Sequence, residues 1–303
     1  PLFTVQLVSD WVQRGLLTRG QAGFCLRDGV ALQADLLPED VRAVWRRRVE
    51  RLLRNRSERD AQAVELAALL GAQVDSTEWT EACAHAEVGA DPELIELLLY
   101  EQLVSSGREG PAVRWRFVHA MVRECLEERA RKAGRLQQHH RACAAMLEGR
   151  EAPGQAERLA HHLLGAGLRG EAVRPLLQAA AERRDSGEYE PASEMLARRE
   201  ALMRTLDVPP GDPRWGDGWV LQSRLARATG DLSAATRFAA QAEEGARQHG
   251  WLDTRADIFL ELGEVSLDHG LQAQAEEWLR QGLEQAIAIG DAALCAHFRR
   301  AQG

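Results

Sequence analysis

The chain has 303 residues, 45% of them hydrophobic and 28% charged, a composition typical of ordinary globular proteins. Its net charge of -8 argues against general nucleic-acid binding, because phosphate contacts need a basic surface. Lys132 is the only lysine and lies in a helical context, which excludes a P-loop or a Schiff-base lysine in this chain. The five cysteines lack CxxC spacing and no apolar stretch is long enough to span a membrane, so we expect free thiols and a cytoplasmic location.

Residues 1–56 predict a helical subdomain. Apolar residues recur at helical spacing through VRAVWRRRVERLL, after a helix start at Pro38 and Glu39. Because the chain is acidic overall, we interpret the arginines around this helix as a solvated face. They are Arg46, Arg47, Arg48, Arg51, Arg54 and Arg56.

Residues 57–135 predict three helices followed by a small β-wing, as in a winged-helix domain. The helices are AVELAALLG, DSTEWTEACAHA and DPELIELLLYEQLVSSG, with cap and first-turn residues at their ends. A Gly-Pro turn and the alternation of Val113, Trp115 and Phe117 then predict a strand. A further amphipathic helix follows in VHAMVRECLEERARKAG. A winged helix that binds DNA needs basic residues on its third helix, and ELIELLLYEQL has none.

The rest of the chain predicts helical hairpins in residues 136–206, a linker in 207–218 and regular repeats in 219–303. The repeats show as a 40-residue self-match, in which Gly230, Ala235 and Gly250 recur as Gly270, Ala275 and Gly290. Such a period predicts stacked hairpins with an extended concave surface, which usually binds polypeptides. Because Gly263 recurs as Gly303, we expect the array to be cut within a third repeat. The predicted fold class is all-α: helical subdomain, winged helix, helical-hairpin array.

The repeats resemble tetratricopeptide repeats. The pair Leu262-Gly263 and Ala275 match the family's Leu-Gly and Ala positions, whereas the preceding unit keeps Ala235 but has Gln222-Ser223. The resemblance implies a protein or small effector bound on the repeat surface. We interpret Phe238, Phe259, Trp251 and Trp278 as core between hairpins.

The N-terminal half resembles the end of a STAND-type signalling ATPase. PLF at residues 1–3 resembles the end of the family's GNPLF stretch, and WRFVHAMVREC resembles its strand-then-histidine motif. RLQQHHRACAAMLE resembles the helix that follows in bacterial multidomain regulators, where such a unit accompanies a serine/threonine kinase or DNA-binding domain. The resemblance implies that Pro1 lies against a nucleotide base and that His119 contacts the diphosphate. Ala120 stands where many relatives have an Asp that caps the helix.

The resemblance further implies an upstream nucleotide-binding domain, with ADP or ATP in the full-length protein and no cofactor in this fragment. Elementary chemistry supports His119 independently, because the first turn of a helix favours an anion and imidazole adds a donor. The alternative is a histidine that caps or packs at this junction.

Two other classes of site are not expected. His139, His140, Cys143, His161 and His162 suggest zinc, but the adjacent histidines point in different directions, so we interpret them as packing and surface residues. No catalytic constellation is present either, so the fragment is not expected to be an enzyme. The favoured function is therefore the regulatory part of a signalling ATPase, and the alternative is a non-enzymatic repeat scaffold for protein–protein interaction.

Overall fold

The computed structural model describes residues 8, 11–12, 15, 17–20, 23–26, 41–108, 113–150 and 152–302. The chain divides into two compact units, one of residues 1–148 and 165–167 and the other of residues 149–164 and 168–303. Among the helices in the described ranges, none has the length and apolar character needed to cross a membrane.

The first unit contains two small antiparallel sheets and six helices within its described residues. In chain order the elements are β1 (Leu17–Gly20), β2 (Gly23–Leu26), α1 (Val41–Leu53), α2 (Glu58–Leu70), β3 (Gln73–Asp75), α3 (Ser76–His85), α4 (Pro92–Tyr100), β4 (Val104–Arg108), β5 (Val113–Phe117), α5 (Ala120–Lys132) and α6 (Leu136–Leu147).

The predicted helical subdomain of residues 1–56 also contains the hairpin of β1 and β2, which the sequence did not predict. Leu17 pairs with Leu26 and Thr18 with Cys25 in antiparallel register. The strands are short and contain Thr18 and Phe24, residue types that favour extended backbone, and Gly23 takes a φ of 130°.

The predicted three helices and the strand over Val113–Phe117 are present, but the third helix ends at Tyr100, and residues 104–107, which were predicted as its last turn, belong to strand β4. The order of elements is α2, β3, α3, α4, β4, β5, and the sheet order is β3-β5-β4. Trp115 and Phe117 point their side chains into the core, as their alternation predicts. The three-residue strand β3 was not predicted, because it is too short to show a period. The predicted Gly-Pro turn lies outside the described residues.

Side-chain caps explain where these helices begin. Ser57 and Asp60 form a reciprocal capping box at the start of α2. Asp75 accepts a hydrogen bond from the Thr77 amide at the start of α3, and Asp91 caps α4 ahead of Pro92. The sequence therefore specifies these three helix starts locally.

The second unit is an array of helices. They are α7 (Gln155–Gly165, its last residue belonging to the first unit), α8 (Val173–Asp185), α9 (Tyr189–Thr205), α10 (Arg214–Ala228), α11 (Leu232–His249), α12 (Leu252–Asp268), α13 (Gln272–Ile289) and α14 (Ala292–Gln302). Consecutive helices pack as the hairpins α8–α9, α10–α11 and α12–α13.

The 40-residue repeat is confirmed at its glycine turns and at the small alanines that follow them. The turns at Gly230 and Gly270 have φ values of 80° and 73°, a conformation that favours glycine. Ala235 and Ala275 are completely buried, which permits the two helices of each hairpin to approach closely. At Gly263, an added Cβ would lie 2.6 Å from a Leu279 methyl group, so this position also requires glycine for packing.

The predicted linker of residues 207–218 is shorter in the structure, because α10 begins at Arg214. Gly216 and Gly218 suggested an irregular segment, yet both lie in the helix. An added Cβ would lie 2.7 Å from the Trp251 ring at Gly216 and 2.5 Å from Arg199 at Gly218. These glycines therefore make room for neighbouring side chains, a packing role that local sequence does not reveal.

Candidate functional site

His119 lies at the junction of β5 and α5, where the sequence placed it. Its Nδ1 accepts a hydrogen bond from the Met121 amide at 3.2 Å, so the imidazole is the N-cap of α5. The ring also stacks on Trp45, with centroids 5.7 Å apart and planes 24° apart. Ala120 cannot cap α5 as an Asp at that position would, but His119 caps the helix instead.

This arrangement determines which ring nitrogen of His119 remains available. Because Nδ1 accepts a hydrogen bond, the neutral imidazole carries its proton on Nε2. Nε2–H can donate to an anion, while the Met121 amide is already satisfied and the Val122 amide bonds to the His119 carbonyl. Any anion site here would therefore depend more on the imidazole than on the helix amides. Pro1, the other predicted nucleotide contact, lies outside the described residues.

The arginines of α1 are not all solvated, which corrects the sequence interpretation. Arg48 is 4% exposed, and its guanidinium lies 4.8 Å from the centre of the Trp45 ring. It also donates to the Glu101 carbonyl at 2.5 Å. A cation–π contact and a backbone acceptor compensate for burial of the charge, and neither can be read from the composition of α1.

A buried ionic cluster centred on Glu65 joins α2, α5 and α6. The Glu65 carboxylate is fully buried and lies 2.7 Å from Arg129 Nη1, 2.8 Å from Arg135 Nη2 and 2.9 Å from His139 Nε2. Burial alone would raise the pKa of Glu65, but the hydrogen bonds from His139 and Arg135 and the nearby positive charges outweigh it and hold the pKa below its ordinary value.

The sequence places α6 with the helical hairpins of residues 136–206, but the structure places it in the first unit. The Glu65 cluster accounts for part of this, because it ties α6 to α2 and α5. His139 points to this carboxylate rather than acting with Cys143, so the structure gives it a hydrogen-bonding role in the packing of α6 against α2. The rings of His161 and His162 are in edge contact, with centroids 5.2 Å apart, although the sequence interpretation has these adjacent histidines pointing in different directions. Cys143 is a buried free cysteine, and burial raises the pKa of another such thiol, Cys83, to about 12.

A cleft of about 560 Å³ lies on one face of the array in the second unit. Its walls come mainly from the first helices of successive hairpins, α10 and α12, and from α14. The lining residues are Arg184, Tyr189, Arg224, Arg227, Ala228, Asp257, Leu260, Glu264, Asp268, Leu294 and His297. The cleft is therefore built from several successive helices of the array rather than from one hairpin.

Ion pairs between α10 and α12 form the floor of this cleft. Arg224 donates to Asp257 at 3.2 Å, and Arg227 donates to Asp268 at 2.6 Å and to Glu264. The acidic residues of α12 recur at helical spacing, so they form one row facing α10. Neither the family resemblance nor the 40-residue period predicted this row of acidic residues. The spacing of the acidic residues along α12 is the sequence signal that could have identified it.

Glu261 belongs to the same row but is completely buried. Its Oε1 lies 2.7 Å from Ser223 Oγ, which also lies 3.0 Å from the Ala235 carbonyl oxygen. Burial raises the pKa of Glu261 above its ordinary value, and the hydrogen bond from Ser223 and the charges of Arg224 and Arg227 offset this only in part. Ser223, which replaces the glycine of the repeat motif, thus serves as a polar partner for a buried carboxyl group.

Replacing Glu261 by glutamine is expected to leave stability near neutral pH unchanged or raise it by up to about 1 kcal/mol. The amide keeps an acceptor for Ser223 and removes a buried carboxyl group. Because the folded-state pKa is raised, the native protein loses stability as pH rises from the ordinary pKa towards the folded-state value. Urea unfolding from acid to neutral pH should therefore show the wild type losing stability relative to Glu261→Gln, because other titrating groups are common to both proteins. A variant that is less stable at neutral pH would contradict the expectation.

No family model and no curated protein sequence matches the chain. Among solved structures, the chain is similar to a Signal Transduction ATPase with Numerous Domains (STAND) protein with a tetratricopeptide repeat sensor from Pyrococcus horikoshii. The similarity has a TM-score of 0.34 and 12% identity over 88% of this chain. The chain spans 49% of the length of that structure. A similarity this weak implies no shared function.

Proposed function

We propose that this chain is the regulatory and sensor part of a STAND-type signal-transduction ATPase in the cytoplasm. The repeats bind a partner protein or small effector, and a winged helix in residues 57–135 controls the nucleotide state of an upstream domain. The observation that carries the proposal is the cleft on the repeat array, a charged concave surface built from successive hairpins. The chain itself does not hydrolyse ATP in this proposal, and ADP or ATP binds in the full-length protein.

His119 supports the nucleotide part of the proposal by its position and its tautomer. It directly follows β5, in the strand-then-histidine motif that resembles the family's, and it can present Nε2–H to a phosphate. A single donor to a charged group contributes about 1.5–3 kcal/mol. The proposed switch therefore has two separate sites, the cleft and the nucleotide contact, whose occupancies are coupled.

Exchanging His119 for asparagine separates a capping role from a nucleotide role. Asparagine caps helices well, so the capping contribution to stability should be retained although the stacking on Trp45 is lost, whereas ADP affinity should fall about 10- to 100-fold because the imidazole donor is lost. The measurement is ADP binding by calorimetry in the protein that includes the proposed nucleotide-binding domain. The control, His119→Ala, should lose the same affinity and also about 1 kcal/mol of stability. Unchanged ADP affinity in both variants would refute the nucleotide role.

The alternative is a non-enzymatic repeat scaffold, and one observation favours it. Capping of Met121 and stacking on Trp45 already provide a complete structural role for His119. The sequence encoded before Pro1 distinguishes the two functions. A GxxxxGK[ST] motif and a Gly-Asn leading into Pro1 would favour the switch, whereas a coding sequence without a P-loop would leave the scaffold.

A further inference from the structure

The lining of the cleft contains three carboxylates, from Asp257, Glu264 and Asp268, and three guanidinium groups, from Arg184, Arg224 and Arg227. Two further carboxyl groups adjoin these arginines: Glu261, which is completely buried, contacts Arg224 and Arg227, and the exposed Asp185 pairs with Arg184. Every guanidinium group of the lining is thus paired with a carboxylate of this chain.

The carboxylates are also the more accessible partners in these ion pairs. The side chains of Asp257 and Asp268 are 45% and 37% exposed, whereas those of Arg224 and Arg227 are 29% and 20% exposed. Each guanidinium of α10 donates to two or more carboxylates of α12. A carboxylate accepts about four hydrogen bonds, so Asp257 and Asp268 keep acceptor capacity towards the cleft.

The remaining walls of the cleft suit the flat, partly apolar side chain of an arginine. Tyr189 is 37% exposed and lines the cleft, where its ring can receive a guanidinium by cation–π contact. Leu260 and Leu294 provide apolar surface for methylene groups. The cleft volume of about 560 Å³ has room for more than one side chain.

We infer that the cleft between α10, α12 and α14 binds an arginine-rich peptide segment of a partner protein. The inference rests on the proposed function and specifies its partner class. Asp257 and Asp268 receive the guanidinium groups, and Tyr189 stacks on one of them. Arg224 and Arg227 hold the carboxylates in place and compete with the peptide for them.

The test uses this chain and a labelled octapeptide of alternating arginine and alanine. The chain has two tyrosines, so incorporation of fluorotyrosine yields one ¹⁹F NMR signal in the cleft, from Tyr189, and one in the first unit, from Tyr100. The peptide should shift the Tyr189 signal and leave the Tyr100 signal in place. The same peptide with neutral citrulline for arginine should shift neither signal.

Variants then assign the binding to the cleft. Asp257→Asn with Asp268→Asn should weaken peptide affinity at least tenfold, as expected for the loss of two charged acceptors. The matched control is Glu277→Gln with Glu284→Gln, which removes the same charge from exposed carboxylates on α13 and should leave affinity nearly unchanged. Arg224→Gln should strengthen binding, because it removes a competing guanidinium. A gain of affinity is not an effect that partial unfolding can produce.

The cleft assignment would be overturned if both double variants weakened peptide affinity equally, or if only the Tyr100 signal shifted. Either result would indicate that the overall acidic charge of the chain attracts the peptide. Absence of binding at low salt would overturn the inference entirely. Neither result affects ADP binding in the His119 variants, so failure of this inference is distinguishable from failure of the proposed function.

Discussion

Replacing Glu65 by alanine is expected to destabilise the first unit by about 3–5 kcal/mol. The substitution leaves three buried or half-buried donors, the guanidinium groups of Arg129 and Arg135 and the imidazole of His139, without their common carboxylate. His139 Nδ1 is already buried without a hydrogen-bond partner among the described residues, so loss of Glu65 would leave neither ring nitrogen satisfied. Urea unfolding followed by far-UV circular dichroism measures the loss.

Glu58 offers a matched control on the same helix. It also contacts Arg129 and Arg135, but its side chain is 57% exposed, so Glu58→Ala should cost less than about 1 kcal/mol. A comparable cost for the two variants would show that burial is not the decisive difference.

The pH dependence of the Glu65 contribution has a defined sign. The folded-state pKa lies below the ordinary value of 4.5, so the stabilisation is complete above that value and is lost as pH falls through the folded-state pKa. The stability difference between wild type and Glu65→Gln should therefore be largest near neutral pH and shrink in acid. A difference that stays constant in acid would contradict an ionic origin.

Replacing Trp251 by alanine is expected to destabilise the second unit by about 3–5 kcal/mol, as for other large buried aromatic residues. Trp251 is 5% exposed and packs against Trp219 and His249, with ring centroids 6.0 Å and 5.9 Å away. Its Nε1 donates to the Gly211 carbonyl at 2.7 Å and so holds the segment before α10. Far-UV circular dichroism during urea unfolding measures the loss, since fluorescence changes with tryptophan content.

Two substitutions separate the contributions of the Trp251 ring and its N–H group. Trp251→Phe keeps much of the aromatic volume but loses the hydrogen bond to Gly211, so a smaller loss of about 1–2 kcal/mol is expected. Trp278→Ala removes a partly buried ring that stacks on Phe259 and should also cost less than Trp251→Ala. If Trp278→Ala cost as much as Trp251→Ala, burial in the cluster would not explain the effect.

Sequence periodicity predicted the parts of the fold that depend on local chemistry. The glycine turns, the small alanines beside them and the capped helix starts each follow from residues close in the chain, and the structure confirms them at Gly230, Ala235 and Asp75. Trp251 and Phe259 are buried as expected, whereas Phe238 and Trp278 are only partly buried.

The features that the sequence did not predict depend on residues far apart in the chain. Glu65 meets Arg135 and His139 across some 70 positions, and Arg48 meets the Glu101 carbonyl across 53. No local pattern identifies such partners, so the burial of Arg48 and the place of α6 were missed. His119 was located by its motif, but its tautomer became clear only from its hydrogen bond to Met121.

The close packing around Trp251 also constrains how this protein can change over generations. An added Cβ would lie 2.7 Å from the indole at Gly216 and 2.5 Å from it at Gly245. Neither glycine can acquire a side chain while the tryptophan remains, and the tryptophan cannot be replaced by a small residue without leaving a cavity. The three positions are therefore expected to be inherited together. Their joint presence would identify relatives of this array even where the Leu-Gly motif is absent, as it is at Gln222-Ser223.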